Sequence, residues 1–419
     1  MVERAGPVST EQLIVSIGAI LLAARLFGFI FQFIGQPRVV GEMTAGIVLG
    51  PSVLGRFFPG VSAHIFPASS LPTLTVLSNL GLLLFMFTVG LEVDFKLILR
   101  QRLAVVLTSN VSILAPLALG IGLAGFLYPE MAGAQVTFLP FALFMGTAMS
   151  ITAFPVLARI LQERKLLSTP LGAMAISCAA VNDVTAWLLL AILTGMVHST
   201  RSWPVFAATL LCLLGFILIM LVPVRRAISF LELRDKQRNH ESSSFFRLIL
   251  LMLAASWTTE WLGIHPLFGA FIAGLVVPKD KELAAKTRDR IESLTLALLL
   301  PLFFALTGLR TRIDLLGSGR LWGYAIVIIA IATAGKFLGA SLTAHMTGVR
   351  WRDSFALGIL MNTRGLVELV VLNAGIELGI LSVTLFTMMV LMALVTTFMA
   401  TPLLNLLKVT EPRERQASA

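Results

Sequence analysis

Cysteine, tyrosine, histidine and charge are all scarce in this chain. Two cysteines occur in 419 residues, Cys178 and Cys212, and each lies inside an apolar run, where a thiol serves as a small packing group and gives no sign of a disulfide framework. The five histidines show no metal-ligand spacing. There is also no phosphate-cradling glycine loop and no nucleophile elbow, so nothing points to an enzyme or to a bound cofactor. Charged residues make up 13% of the chain against 57% hydrophobic, and the mean hydropathy is +0.91, far outside the composition of a soluble domain, where about 25% of residues are charged. What is there in quantity is long apolar sequence, and the chain reads as an all-α polytopic membrane protein.

The net charge of +10 raises nucleic acid as a partner, but the basic residues fall in alternate loops, which is a topology signal. Thirteen apolar windows are long enough, or nearly so, to cross a bilayer core of roughly 30 Å. They centre near Ala23, Ile47, Leu83, Leu114, Thr147, Asn182, Ile217, Leu253, Ile272, Phe303, Thr333, Arg364 and Val395. With the N-terminus outside, 23 of the 32 Lys and Arg collect in inner loops, six in outer ones and three, Arg25, Lys336 and Arg364, within the membrane. The positive-inside rule then puts the N-terminus outside and the C-terminus inside. The first run is too long for a signal-peptide core and is kept as a span. The stretch 408–419 is expected to be a short cytoplasmic tail, with no large C-terminal regulatory module.

Polar residues inside these runs carry the functional reading. Asn182-Asp183 sits in the middle of the sixth window, and a carboxylate at mid-membrane costs about 2.5–3.5 kcal/mol on insertion scales. Such a residue faces a water-filled cavity and serves ions or protons; an Asp held for packing alone is the competing reading. Burial favours the neutral form of a carboxyl and a bound cation favours the ionised one, so cation and proton compete for one group. In the fifth window Ser150-Ile151-Thr152-Ala153-Phe154-Pro155 interrupts the helix, because Pro155 lacks an amide donor and disfavours helical geometry before it. Thr152 adds a hydroxyl oxygen suited to Na+ or K+, with a simple proline kink as the alternative. The twelfth window is interrupted at Asn362-Thr363-Arg364-Gly365. The two interruptions lie seven spans apart, and an odd offset makes matching spans antiparallel, as in inverted-repeat transporters with discontinuous helices. Lys336 needs a partner in the membrane: a carboxylate, Asn182 when the lysine is neutral, or the negative ends of broken helices. Arg364 and Glu368, four apart, share a helix face and read as an ion pair bracing the break.

Several motifs carry a resemblance. Gln36-Pro37-Arg38-Val39-Val40-Gly41-Glu42, Gly46-Ile47-Val48-Leu49-Gly50-Pro51-Ser52 and Phe87-Thr88-Val89-Gly90-Leu91-Glu92-Val93-Asp94 resemble the opening of monovalent cation/proton antiporter family 2. Ile264-His265-Pro266-Leu267-Phe268-Gly269-Ala270-Phe271 and Met361-Asn362-Thr363-Arg364-Gly365-Leu366-Val367-Glu368 are similar to its plant cation/H+ exchanger branch and bacterial relatives. The resemblance implies a thirteen-helix antiporter with two crossed broken helices, working as a homodimer in the bilayer by an elevator-like motion, here in a bacterial inner membrane. It implies scaffold helices at 8–99 and 245–310, a transporting core at 103–197 and 321–407, a linker helix at 204–224 and a basic cytoplasmic loop at 225–244. Asp183 matches the ion-binding aspartate, Lys336 the core lysine, and Thr152 and Asn362 to Gly365 the unwound segments. Electrogenic sodium exchangers of this fold have Asp-Asp where this chain has Asn182-Asp183, so the expectation is electroneutral exchange of K+ or Na+ for H+. An organic-anion/Na+ symporter and an uncoupled channel or sensor are the alternatives.

Overall fold

The structure, a computed structural model, describes residues 9–92, 103–133, 136–166, 169–198, 203–238, 241–278 and 281–407. Those residues are helical throughout, with no strand among them apart from one isolated bridge, Ala132 to Leu381. In chain order the helices are α1 (Thr10–Phe33), α2 (Arg38–Leu49), α3 (Leu54–Phe57), α4 (Pro59–Ile65), α5 (Leu71–Glu92) and α6 (Leu103–Met131). The middle of the chain forms α7 (Phe138–Ser150), α8 (Phe154–Glu163), α9 (Pro170–His198), α10 (Trp203–Ile219), α11 (Arg225–Arg238), α12 (Glu241–Trp261) and α13 (Pro266–Val276). The last third forms α14 (Lys281–Leu294), α15 (Leu300–Arg310), α16 (Gly319–Met346), α17 (Trp351–Met361), α18 (Leu366–Glu377) and α19 (Val383–Leu406).

Among the described residues eight helical stretches are long and apolar enough to cross a membrane. Other expected windows fall on shorter helices: the fifth on α7 and α8, the ninth on α13, the twelfth on α17 and α18. One expectation changes. The basic loop placed at 225–244 is helical from Arg225 to Arg238, continuous with α10 through a π-helical turn at Met220–Val224. Charged residues lower hydropathy without opposing helix, since Arg, Lys, Glu and Gln are good helix formers. Likewise the basic stretch from Lys281 belongs to α14, which runs through a second π turn, Thr295–Leu299, into α15. Lys408 to Ala419, expected as a cytoplasmic tail, lies outside the described residues.

The chain divides into two compact units. One comprises Met1–Ala24, Ala45–Phe95 and Trp187–Leu309, the other Arg25–Thr44, Lys96–Ala186 and Arg310–Ala419. In the first, Ile20, Leu74, Leu302, Ala305 and Leu306 form a buried cluster. Its helices close on glycine: a Cβ at Gly46 would collide with the Ala305 backbone, and one at Gly90 with the Phe271 carbonyl. Membrane helices gain from such approach because lipid offers no hydrophobic contrast and van der Waals contact must hold them together. In the second unit α6 packs along α7 and α16, with Gly120 against the Gly146 backbone and Gly335 against Pro116.

Candidate ion site at two helix breaks

Two helices of the second unit are interrupted, and their interruptions satisfy one another. Helix α7 stops at Ser150, Ile151 is extended (φ −74°, ψ 141°), and α8 begins at Phe154. Pro155 is the second residue of α8, a position at the start of a helix where a missing N–H costs no internal bond. Helix α17 likewise ends at Met361, and Gly365 caps α18 in an extended conformation. The Ala153 N–H donates to the Thr363 carbonyl at 3.0 Å, and Thr152 Oγ1 donates to the Met361 carbonyl at 2.8 Å. Unwound backbone has no water in lipid, so breaks persist only where protein groups or a cavity meet them.

Arg364 extends that bracing. Its side chain is fully buried. Nη1 donates to the Ala148 carbonyl at 3.0 Å and Nη2 to that of Met149 at 2.6 Å, both in the last turn of α7, where carbonyls lack helical partners and the helix end is negative. Nη1 also reaches Glu368 Oε1 at 3.2 Å, one turn into α18. The backbone of Arg364 is held from α19: its N–H donates to Thr397 Oγ1 at 2.9 Å, and that hydroxyl donates to the Arg364 carbonyl at 2.5 Å.

Asn182 and Asp183 lie side by side near the middle of α9 and are both buried, yet they differ in partners. In the amide orientation that satisfies both ends, Asn182 Oδ1 accepts from Lys336 Nζ at 2.9 Å and lies 3.0 Å from Thr152 Oγ1. Its nitrogen then donates to the Ser109 and Cys178 carbonyls, each at 3.3 Å. In this orientation Lys336 Nζ donates, as an amine or an ammonium can. Neither carboxylate oxygen of Asp183 has a hydrogen-bond partner. The Phe154 N–H at the start of α8 lies near it without hydrogen-bond geometry. Lys336, fully buried on α16, feels the charges of Arg364, Glu368 and Asp183. The buried set is thus two acids and two bases.

The structure therefore gathers Thr152, Asn182 and Lys336 into one contact set, and Arg364 and Glu368 into a second with the last turn of α7. Ser150 and Thr363 turn their hydroxyls back onto their own helices, to Thr147 and Leu360. Asn362 is buried with Oδ1 unpartnered. Ser109, through its backbone carbonyl, and Thr397, through its hydroxyl, enter the site unannounced by the sequence; a backbone acceptor leaves no residue signal, and that of Thr397 is only that small hydroxyl residues recur inside apolar helices. No group of three or more His, Cys, Asp or Glu converges among the described residues. Among the described residues Asp183 is the buried carboxylate without a donor, next in sequence to Asn182, which meets the Thr152 hydroxyl; carboxylate, hydroxyl and carbonyl oxygens are a donor class suited to hard monovalent cations.

A family model described as sodium/hydrogen exchanger, transmembrane, matches residues 18–407. A Na+/H+ antiporter of Synechocystis is 43% identical over 396 residues, covering 93% of this chain and 96% of its own. Cation/H+ antiporter 19 of Arabidopsis thaliana is 40% identical, covering 94% of this chain and 49% of its own, and K+/H+ antiporter 1 of Saccharomyces cerevisiae is 37% identical, covering 92% and 45%. The chain thus spans about half of the plant and yeast relatives and nearly all of the cyanobacterial one. A sodium/proton antiporter of Methanocaldococcus jannaschii aligns in structure with a TM-score of 0.62 at 16% identity, covering 95% of this chain and 96% of that one, a likeness of fold. These relatives are transporters, not enzymes. With its apolar helices and its match from residue 18 to residue 407, the chain is a multi-pass membrane protein of the sodium/hydrogen exchanger family.

Proposed function

We propose that the chain exchanges a monovalent cation, K+ or Na+, for H+ across the membrane, with Asp183 as the group that holds each in turn. The observation that carries this reading is a fully buried carboxylate with neither oxygen hydrogen-bonded, in the unit whose two helix breaks hydrogen-bond each other. A charge left in that state is expensive, and either a proton or a cation relieves it. Thr152 supplies the second oxygen when a cation is bound, exchanging its present contacts with Asn182 and Met361. The antiporter names of the relatives support the same exchange.

Asn182 is an amide that takes no proton, and its Oδ1 accepts from Lys336, so Asp183 is the single carboxylate of the pair. Exchange is therefore electroneutral, one cation per proton. The mechanism is alternating access in which the unit holding both breaks moves as a body, like an elevator, within a homodimer. The division of the chain into two compact units supports this, with the unit of Trp187–Leu309 as scaffold and that of Lys96–Ala186 and Arg310–Ala419 as core. The charge asymmetry of the loops supports an outside N-terminus and an inside C-terminus, in a bacterial inner membrane.

The test is a proteoliposome assay of ΔpH dissipation with Na+, K+, Rb+ and Li+ compared in turn. Proton movement driven by at least one of these, absent from empty vesicles, is expected, and absence with all four overturns the reading. Clamping the membrane potential in the same vesicles separates stoichiometry from exchange: a rate that responds to imposed voltage refutes electroneutrality while leaving exchange intact.

A further inference from the structure

A pocket of about 540 Å3 lies in the first unit where α10 passes into α11, lined by Leu221, Val222, Arg225, Arg226, Ser229 and Phe230. Its walls are of two kinds. Leu221, Val222 and Phe230 are apolar, and Phe230 is 65% exposed. Arg225 and Arg226 are exposed, and neither guanidinium has an ion pair or hydrogen bond among the described residues. No acidic residue occurs from Trp203 to Leu231, and the first beyond, Glu232, is seven and six positions from the two arginines. Within the span Leu211–Leu231, this is the point at which the apolar run gives way to charge.

Leading into the pocket is a stripe of exposed apolar residues on the same helix, Leu211, Leu214, Leu218 and Val222, spaced three or four apart and so on one face. The span is only 22% buried. An apolar stripe that ends on two unpaired cations at the edge of a membrane span has the amphipathic pattern of a phospholipid turned head to tail. The π turn at Met220–Val224 helps to shape the junction. Pro223 has no N–H to donate, and the Arg225 N–H bonds to the Met220 and Val222 carbonyls.

We propose that this pocket binds an anionic phospholipid, its phosphate against Arg225 and Arg226 and an acyl chain along the Leu211 to Val222 stripe. The inference is independent of the ion site, which lies in the other unit. Guanidinium groups suit the phosphate because they present forked donors and stay charged at any working pH. Phosphatidylglycerol, with one net negative charge and two acyl chains, is the probe.

The full chain, purified in neutral detergent, is titrated with phosphatidylglycerol, with phosphatidylcholine and with inorganic phosphate, reading bound lipid by native mass spectrometry and the unfolding temperature in parallel. Phosphatidylglycerol is expected to bind at least tenfold more tightly than phosphatidylcholine and to raise the unfolding temperature, an effect that 0.5 M salt weakens. The double variant R225Q/R226Q should bind phosphatidylglycerol about 30-fold more weakly, at about fivefold per arginine, with phosphatidylcholine binding unchanged. If the double variant fails to fold, R225Q and R226Q singly should each show the fivefold loss. Equal binding of the two lipids, unaltered phosphatidylglycerol binding in the variants, or equal protection by inorganic phosphate overturns the proposal, the last by identifying a free-anion site.

Discussion

Among the described residues, the unit of Lys96–Ala186 and Arg310–Ala419 fully buries Asp183, Lys336, Arg364 and Glu368, whereas the unit of Ala45–Phe95 and Trp187–Leu309 buries no charge at all. Both close their helices on glycine, Gly46 and Gly90 in one, Gly120 and Gly335 in the other. Close packing is therefore the common means of holding helices together, and the buried charges are an addition to it. Membrane insertion penalises each such charge, so they are retained for what they do. Within the charged set there is a further division: Arg364 is bonded to three acceptors and ties two breaks together, while Asp183 is bonded to none. One is built into the scaffold of the site, and the other is left available.

The largest expected effect separates those two roles. Asp183→Asn keeps shape and volume but removes the charge, and cation-driven proton movement should fall to the level of empty vesicles. Because no hydrogen bond to the carboxylate is lost, the unfolding temperature in detergent should be equal to or above that of the unmodified protein. Wild-type exchange rates in this variant would refute the role of Asp183, and a collapse of stability would show the carboxylate to be structural.

Arg364→Met should do the reverse. It strands Glu368 in a dry interior and releases the Ala148 and Met149 carbonyls, and breaking a buried pair by removing one partner costs about 3–5 kcal/mol. Loss of folded protein, measured by detergent unfolding or expression yield, is the expected outcome. If the variant folds normally and loses only transport, then Arg364 belongs with Asp183 and the division fails.

The apolar architecture was legible because a span needs about 20 apolar residues and hydropathy registers little else. The breaks were legible through Pro155 and through the Asn362 to Gly365 run, local signals of backbone that cannot stay helical. What the sequence could not give is pairing across distance. Nothing local indicates that Arg364 reaches the last turn of α7, 215 residues back at Met149, or that Lys336 lies against Asn182 when Asp183 is the adjacent carboxylate. Ser109 was invisible because it acts through a backbone carbonyl that any residue supplies, and Thr397 because small hydroxyl residues satisfy themselves within their own helix so often that their presence carries little information. The basic stretch after Val224 was misread as a loop because hydropathy reports solvent preference, while helix formation follows propensity.

In the unit without a fully buried charged residue the predicted effects are those of packing alone. Gly90→Ala places a methyl group against the Phe271 carbonyl and the Leu275 N–H, and overfilling a tight contact costs about 1–3 kcal/mol. The unfolding temperature should drop, yet the cation concentration giving half-maximal exchange should stay that of the unmodified protein. A shifted cation dependence would mean that packing in this unit sets the ion site, contrary to the comparison.

Arg310 provides the smallest and sharpest probe, because it is a cation of the charged unit that is not buried. It begins the segment Arg310–Ala419 of that unit, and its Nη1 donates to Asn373 Oδ1 at 2.7 Å and lies 3.6 Å from Glu377 Oε1, both on α18. The ion-pair side chains are 36% and 47% exposed, so solvent screens the Coulomb attraction and a pair of this kind contributes under about 1 kcal/mol. Arg310→Gln retains a hydrogen-bond donor for Asn373 and removes only the charge. Its unfolding temperature should therefore change little, and exchange should remain within about twofold of the unmodified rate. A loss approaching that of Asp183→Asn would show that charge matters in this unit wherever it stands, and burial would cease to be the property that distinguishes functional cations and carboxylates from the rest.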